Sequence, residues 1–175
     1  MTFAVGNLHF VLGAGRRRDY VALARFHYRC GSPATFAAVW TIRHIPWPQP
    51  IAVAVLSYPT LCLHVRNRVL GLVGMDPADR IRFVNRHVRT ISRVIVHPTF
   101  RSLGLATLLV RHILNSAPTR YTEALAVMGR AHPFFQSAGM CRIDPCNERK
   151  PIYFLFDRNR RSRRPARIGN RARRG

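Results

Sequence analysis

Acidic residues and lysine are scarce in this 175-residue chain. Seven Asp and Glu stand against 29 Lys and Arg, the formal net charge is +22, and Lys150 is the only lysine. So much arginine predicts an anionic partner, either a nucleic acid or the phosphates of a nucleotide cofactor, because guanidinium groups bind phosphate bidentately and stack on bases. Codon bias in a G+C-rich genome is an alternative explanation for Arg over Lys, with many of these side chains merely solvated.

Cysteines at metal-binding spacing and long apolar runs are also missing. Cys30, Cys62, Cys141 and Cys146 form no CxxC pair, and no His or Cys pair elsewhere matches the last two. We therefore predict no metal site and free thiols. No apolar stretch reaches 18 residues and no secretory signal is recognisable. From these absences we expect no membrane span and a cytoplasmic location.

Apolar content, in contrast, is sufficient for a folded core. Hydrophobic residues make up 47% of the sequence and aromatic residues 10%, which predicts one compact domain over residues 1–157. Residues 158–175 are mostly Arg with small or polar residues. Because such a segment cannot bury enough apolar surface to become ordered, we expect a disordered basic tail there.

Hydrophobic patterning predicts a domain of the α/β (α+β) class. The predicted strands are Phe3–Leu12, Thr35–Ile42, Ile51–Leu56, Thr90–Val96, Glu123–Met128 and Ile152–Phe156. The predicted helices are Arg16–Tyr28, Gly104–Asn115 and Pro133–Ser137. Between Leu61 and Asn85 we expect loop and a short helix.

The segment ISRVIVHPTFRSLGLATLLVRHIL, from Ile91 to Leu114, is the most informative part of the chain. A strand runs through a tight turn directly into a Leu-rich helix. Gly104 and the small Ala106 let the backbone approach a ligand closely. Free N–H groups in the first helical turn favour an anion such as a pyrophosphate, and Arg101 adds a charge-assisted contact. The turn has neither the GxxxxGK(S/T) nor the GxGxxG pattern of other phosphate loops.

Two short motifs stand out, one in this turn and one further along the chain. The turn reads Arg101-x-x-Gly104-x-Ala106, and PFFQSAGM follows at residues 133–140. In order and spacing they resemble the R/Q-x-x-G-x-G/A and F-Y-x-x-x-G-F motifs of the GNAT superfamily. An ordinary strand–helix–strand unit with a glycine in its turn is the alternative, but it gives no reason for the second motif. The resemblance implies an acyl-CoA-dependent N-acyltransferase with a GNAT-like fold. In that fold a central mixed, mostly antiparallel sheet is flanked by helices and splayed at the acyl-CoA site.

The resemblance also implies where acetyl-CoA, the expected cofactor, binds. The strand before the turn parts from its neighbour, and the pantetheine arm enters the gap and pairs with backbone groups at Val94, Ile95 and Val96. The turn and the first helical turn hold the pyrophosphate. The residues implied there are Arg101, Ser102, Leu103, Gly104, Leu105, Ala106 and Thr107.

Catalysis in the family is direct attack of an amine on the thioester, which needs orientation, proton removal and carbonyl polarisation. Many members carry a proton-donating Tyr where this chain has Phe135, which has no proton to give to the leaving thiolate. The candidate acid–base residues are Glu123, His132, His27 and Tyr28. A salt bridge is the alternative for Glu123, and chance placement near the surface is the alternative for the others.

Longer runs resemble a narrower group. RFHYRCGSPAT at residues 25–35, VLSYPT at 55–60 and EALAVMGRAHPFFQSAGM at 123–140 are similar to GNAT-like modules joined to ABC-type ATPases. More distantly, they resemble phage DNA-modification proteins of the Mom type. This implies an ABC-type ATPase partner and a nucleic-acid acceptor, bound through the Arg-rich surface and tail by counterion release. Three hypotheses stay open: an acyltransferase, a base-modifying enzyme on the same fold, and a non-catalytic nucleic-acid-binding module.

Overall fold

In the computed structural model, which describes residues 1–28, 31–145, 147 and 150–162, eight strands form one sheet. The strands are β1 (Thr2–Val5), β2 (Leu8–Ala14), β3 (Ala38–His44), β4 (Pro50–Ser57), β5 (Val88–Val96), β6 (Tyr121–Ala126), β7 (Cys141–Ile143) and β8 (Ile152–Asp157). The helices are α1 (Arg17–Ala24), α2 (His64–Val69), α3 (Pro77–His87), α4 (Leu105–Ser116) and α5 (Phe134–Ser137). The strand order is β1-β2-β3-β4-β5-β6-β8-β7, and every neighbouring pair is antiparallel except β5 and β6. This confirms the expected mixed, mostly antiparallel sheet flanked by helices.

Strand β4 runs through the centre of the sheet and is buried on both faces. All eight of its residues are buried, as the continuous apolar run IAVAVL predicts. Ala52 and Ala54 belong to the main core, which includes Leu109 of α4. Val53 and Val55 point the other way and pack with residues of α1. We call these two sides of the sheet the α4 face and the α1 face.

A two-helix insertion connects β4 to β5. These strands are antiparallel neighbours, which a two-residue turn can join, yet residues 58–87 lie between them. Helix α3 begins where Asp76 accepts hydrogen bonds from the N–H groups of Ala78 and Asp79 at 2.8 and 3.2 Å. Pro77 follows as the first helical residue, where its fixed φ suits a helix. The prediction of loop with one short helix missed the 11 residues of α3, because Asp-Pro also marks turns.

The insertion covers part of the α1 face of β6 and β8. Val84 of α3 and Leu72 of the connection between the two helices pack with Tyr121 and Tyr153 in a cluster separate from the main core. The sheet therefore has apolar layers on both faces, and α1 and the insertion together supply the layer on the α1 face.

Two N-terminal predictions were wrong in their bounds. The segment Phe3–Leu12, expected to be one strand, is a hairpin in which Val5 pairs with Leu8 and Gly6 takes a φ of 57° in the turn. The prediction overlooked Gly6-Asn7, a two-residue turn signal at which the apolar alternation shifts by one residue. The helix expected to reach Tyr28 ends at Ala24.

The expected basic tail lies mostly outside the described residues. Residues Arg158–Ser162 form a 3-10 turn after β8, and the N–H of Arg158 donates to the carbonyl of Arg120 at 3.0 Å. Residues 163–175 are not among those described, so a disordered tail and a domain boundary at residue 157 stay predictions.

None of the helices described is both long and apolar enough to cross a membrane.

A buried ion pair ties the insertion to the sheet. Arg66 of α2 is fully buried, and its Nη1 donates to Glu123 Oε1 at 3.0 Å. Its Nη2 donates to two backbone carbonyls at the start of the insertion, at 2.6 and 2.9 Å. Glu123 also accepts from Thr90 Oγ1 at 2.8 Å and from the Tyr153 hydroxyl at 2.9 Å. Burial and the neighbouring carboxylate raise the pKa of Tyr153 above its ordinary value, so the hydroxyl remains a donor.

Arg66→Met is expected to destabilise the fold by about 3 to 5 kcal/mol, because it leaves the Glu123 carboxylate buried without its counterion. Urea unfolding measures this loss. The matched control is Arg120→Met, since Arg120 pairs with Asp157 but is 45% exposed; its cost should not exceed about 1 kcal/mol. Adding Glu123→Gln to Arg66→Met should recover part of the loss. Similar losses for the two arginine variants would contradict this account.

Candidate active site

Strands β5 and β6 separate after three residue pairs. Their parallel pairing covers Val88–Thr90 against Tyr121–Glu123. Beyond that point β5 stays paired with β4 as far as Val96, whereas β6 stays paired with β8 as far as Ala126. A wedge-shaped gap therefore opens within the sheet, as the predicted splay requires.

A β-bulge on β5 bends the strand at the narrow end of this gap. Val55 pairs with Arg93 and Leu56 pairs with Ile91, so Ser92 is an extra residue in β5. An extra residue of this kind bends its strand and increases its twist. The bulge thus accounts for the divergence of β5 from β6.

The gap has one apolar side and an edge of unpaired backbone. Val94 and Val96 of β5 and Ala124 and Ala126 of β6 face the main core on the α4 face. In the described sheet, β6 offers no pairing partner to β5 beyond Thr90. Backbone N–H and C=O groups along β5 can therefore bond to a linear molecule that contains amides.

At the wide end of the gap, β5 runs into a tight turn. The Arg101 side chain folds back, and its Nε donates to the carbonyl of Val96 at 3.4 Å. Ser102 and Gly104 have positive φ values of 68° and 75°. Glycine adopts this conformation without strain, whereas Ser102 is held in it by the surrounding turn. Leu103 packs against the main core. The turn is therefore fixed in place rather than loose.

Helix α4 begins at this turn. Its N-cap, Gly104, makes no side-chain capping bond, and its first turn carries no acidic residue. The N–H groups of Leu105, Ala106 and Thr107 consequently have no acceptor within the helix, and the helix dipole makes the site positive. Leu105 is 1% exposed and anchors this end of α4 in the core. The predicted cofactor residues thus fall into two adjoining groups, 94–96 along the gap and 101–107 at its wide end.

Each carboxylate in the described part of the chain is already engaged. The ion pairs are Asp19 with Arg43, Asp79 with Arg82, Glu123 with Arg66, Asp144 with Arg142, and Asp157 with Arg120. Asp76 caps α3. Glu123 belongs to the last pair before the gap opens and accepts three hydrogen bonds. This position suits support of the gap better than proton transfer.

The other acid–base candidates lie in the connections beside helices and strands. His132 is exposed, between β6 and α5. His27 and Tyr28 follow α1, with their rings stacked at 4.6 Å and Tyr28 59% exposed. Phe135 is 5% exposed and packs against Phe154 with ring centroids 5.0 Å apart. The position where many relatives have Tyr is therefore part of the core here.

Two features beside the gap were not predicted from the sequence. Ser92 Oγ lies 2.7 Å from Ser57 Oγ, which donates to the carbonyl of Thr35 at 2.6 Å. Arg93 is 8% exposed and donates to the carbonyls of Ser92 and Gly31 at 2.8 and 3.1 Å. The only sequence signal was a charged residue within the predicted strand TISRVIV.

Gly104→Val should weaken the binding of acetyl-CoA at least about tenfold. A β-branched residue costs about 1 to 2 kcal/mol at a positive φ, and its side chain would enter the open space in which we expect the anion. Isothermal titration measures the affinity. The matched control is Gly71→Val, because Gly71 has a φ of 69° and equally open surroundings but lies after α2. It should lower stability similarly and leave the affinity unchanged. Equal loss of affinity in both variants would contradict the assignment of this turn to acetyl-CoA binding.

Known proteins share this fold and this segment. A model of the Acetyltransferase (GNAT) family matches residues 23–140, whereas no curated protein sequence matches the chain. Arabidopsis thaliana NAA60 in complex with acetyl-CoA is similar in structure, with a TM-score of 0.60, 12% identity, and coverage of 86% of this chain and 99% of that one. AtaT complexed with acetyl-methionyl-tRNAfMet has a TM-score of 0.52 and 17% identity, over 85% and 94% of the two chains. An agmatine N-acetyltransferase has a TM-score of 0.52 and 11% identity, over 85% and 99%. The three structures establish the fold, and the family match spans the gap, the turn and α4; this chain belongs to the GNAT family of acetyltransferases.

Proposed function

We propose that the protein transfers the acetyl group of acetyl-CoA to an amine of an acceptor molecule. Membership of the family makes it an acetyl-CoA-dependent N-acetyltransferase. The observation that carries the proposal is a gap in the sheet that ends in an anion-binding turn. Such a gap fits a slim molecule with amides along its length and phosphates at one end, which is the chemistry of acetyl-CoA.

The two ends of the gap give the cofactor its direction. N–H groups between Ser102 and Thr107, together with Arg101, hold the pyrophosphate at the wide end. Backbone groups of Val94–Val96 pair with the pantetheine arm. The thioester then reaches the narrow end, beside Ser92 and Arg93, because it lies at the opposite end of the molecule from the phosphates.

The acceptor approaches from the α1 face. On the α4 face the side chains of both strands belong to the main core, which also contains Leu105 and Phe135. On the other face Leu125 of β6 is 41% exposed, and Val127 and Met128 just after it are 58% and 44% exposed. This partly apolar surface is open to an acceptor.

In the reaction the amine attacks the thioester carbonyl carbon, the carbon–sulfur bond breaks, CoA leaves as the thiolate, and the amine loses a proton. Backbone N–H groups on the free edge of β5 stabilise the developing oxyanion. We assign the removal of the proton to His132, with His27 and Tyr28 bordering the acceptor. Glu123 supports the gap through its hydrogen bonds.

The pure, folded protein is expected to bind acetyl-CoA, and Arg101→Ala should weaken that binding roughly 10- to 100-fold, the worth of a charge-assisted contact. Isothermal titration gives both affinities. Arg82→Ala is the control, because Arg82 forms an exposed pair with Asp79 on α3. No binding of acetyl-CoA by the wild-type protein would overturn the proposed function.

His132→Gln should lower kcat about 100-fold or more, as expected for loss of a general base, with the affinity for acetyl-CoA unchanged. Release of free CoA thiol in the presence of amines measures the rate. His64→Gln, at the exposed start of α2, serves as the control and should retain full activity. Unchanged turnover by His132→Gln would exclude His132 and leave His27 and Tyr28 as candidates.

A nucleic-acid acceptor is a second candidate, and the net charge of +22 favours it. AtaT, which has a similar fold, binds an acetylated aminoacyl-tRNA; for this chain a nucleic-acid partner stays a prediction. The same holds for an ABC-type ATPase partner and for kinship with Mom-type proteins.

A further inference from the structure

We propose that Arg93 binds an anionic group, a carboxylate or a phosphate, which the acceptor carries close to its reacting amine. This inference rests on the proposed function, because it assigns the acceptor of the same site. It names Arg93 as a specificity-determining residue that none of the motifs identifies.

Arg93 lies on the side of the gap from which the acceptor approaches. It follows the bulge at Ser92 and comes three residues after Thr90, the last residue of β5 that pairs with β6. Its Nη2 donates to the carbonyl of Gly31 at 3.1 Å, and the hydroxyl of Tyr20 in α1 donates to the same carbonyl at 3.2 Å. Ile95, two residues further along β5, packs with Tyr20 as well. The guanidinium therefore lies on the α1 face, next to the expected thioester.

The charge of Arg93 has no carboxylate partner in the described part of the chain. The side chain is 8% exposed, and its two hydrogen bonds go to backbone carbonyls. Its Nε is buried and makes no hydrogen bond within the described residues, which is also true of Arg66 Nε, so the missing counterion is what distinguishes Arg93. A buried cation is normally paired, because removing an unpaired charge from water costs several kcal/mol.

Arg66, the other buried arginine among the described residues, has a counterion. Arg66 is 0% exposed and has a full counterion in Glu123 at 3.0 Å. Arg93 is buried to a similar degree, yet each described carboxylate is committed elsewhere, to another arginine or to the cap of α3. An anionic group on the acceptor would supply the missing charge.

The chemistry of the guanidinium defines the acceptor. Its planar fork matches two oxygens of a carboxylate or a phosphate. A cation beside the thioester also disfavours a second positive charge, so it favours the neutral amine, which is the form that attacks. Acceptors with an acid group a few bonds from the amine should therefore react, whereas diamines should be poor substrates.

The first experiment uses the full wild-type chain and three series of amines with matched chain lengths. These are amino carboxylates, aminoalkyl phosphonates and amino alcohols, and release of CoA from acetyl-CoA gives kcat/KM. We expect one of the two acidic series to exceed the amino alcohols at least about 10- to 100-fold. The acidic series that reacts better identifies the anion. Equal or better reaction of the amino alcohols, or no reaction of either acidic series, would overturn the inference.

The second experiment compares Arg93→Met and Arg93→Lys with Arg89→Met. Arg89 lies on the same strand before the gap opens and stacks on Tyr58 at 4.4 Å. Arg93→Met should raise KM for the acidic acceptors about 10- to 100-fold, with little change for amino alcohols. Arg93→Lys should recover part of this loss, and Arg89→Met should behave as wild type. A uniform fall in kcat for charged and neutral amines alike would contradict anion recognition and indicate a role at the thioester.

Titration with acetyl-CoA distinguishes failure of the Arg93 inference from failure of the proposed function. Wild-type protein that binds acetyl-CoA and acetylates only neutral amines retains the proposed function but overturns the role of Arg93. Protein that does not bind acetyl-CoA overturns the proposed function itself. If Arg93→Met fails to fold, the comparison of amine series with wild-type protein decides the inference.

Discussion

The end of the pairing between β5 and β6 is the constraint on which the site depends. A parallel pair that continued to Val96 would satisfy its own backbone groups and leave nothing for a ligand. Two features stop it. The bulge at Ser92 bends β5, and Glu123 is held at the point of separation by Thr90, Tyr153 and Arg66. The gap is thus a property of the folded sheet, present before any cofactor arrives.

The strand, turn and helix to which we assign the cofactor could be predicted because their determinants are local in the sequence. A positive φ at Gly104, an uncapped helix start at Leu105 and a preceding apolar strand all lie within one short segment. Such patterns depend on backbone geometry that few residue types allow.

The features of the site that the sequence did not predict depend mostly on contacts between distant parts of the chain. Arg66 and Glu123 are 57 residues apart in sequence, and nothing in the pattern around either residue indicates the other. The bulge at Ser92 comes from the register of β5 on β4, which hydrophobic periodicity does not encode. The hairpin turn at Gly6 is a different case, because Gly6-Asn7 is a local turn signal that shifts the apolar alternation by one residue and was overlooked. Phe135 was recognised as a departure from a motif, but only packing shows that its place is in the core.

The insertion between β4 and β5 affects how stably the gap between β5 and β6 keeps its width. Connections between strands are usually where a chain frays first and changes length most freely. Here that connection supplies, through Arg66, the counterion at the hinge of the wedge. Any fluctuation that lifts α2 from the sheet would separate Glu123 from Arg66. The last pair between β5 and β6 would then be less stable. Helix α2 lies outside the gap, yet its attachment to the sheet would determine the lifetime of the open gap.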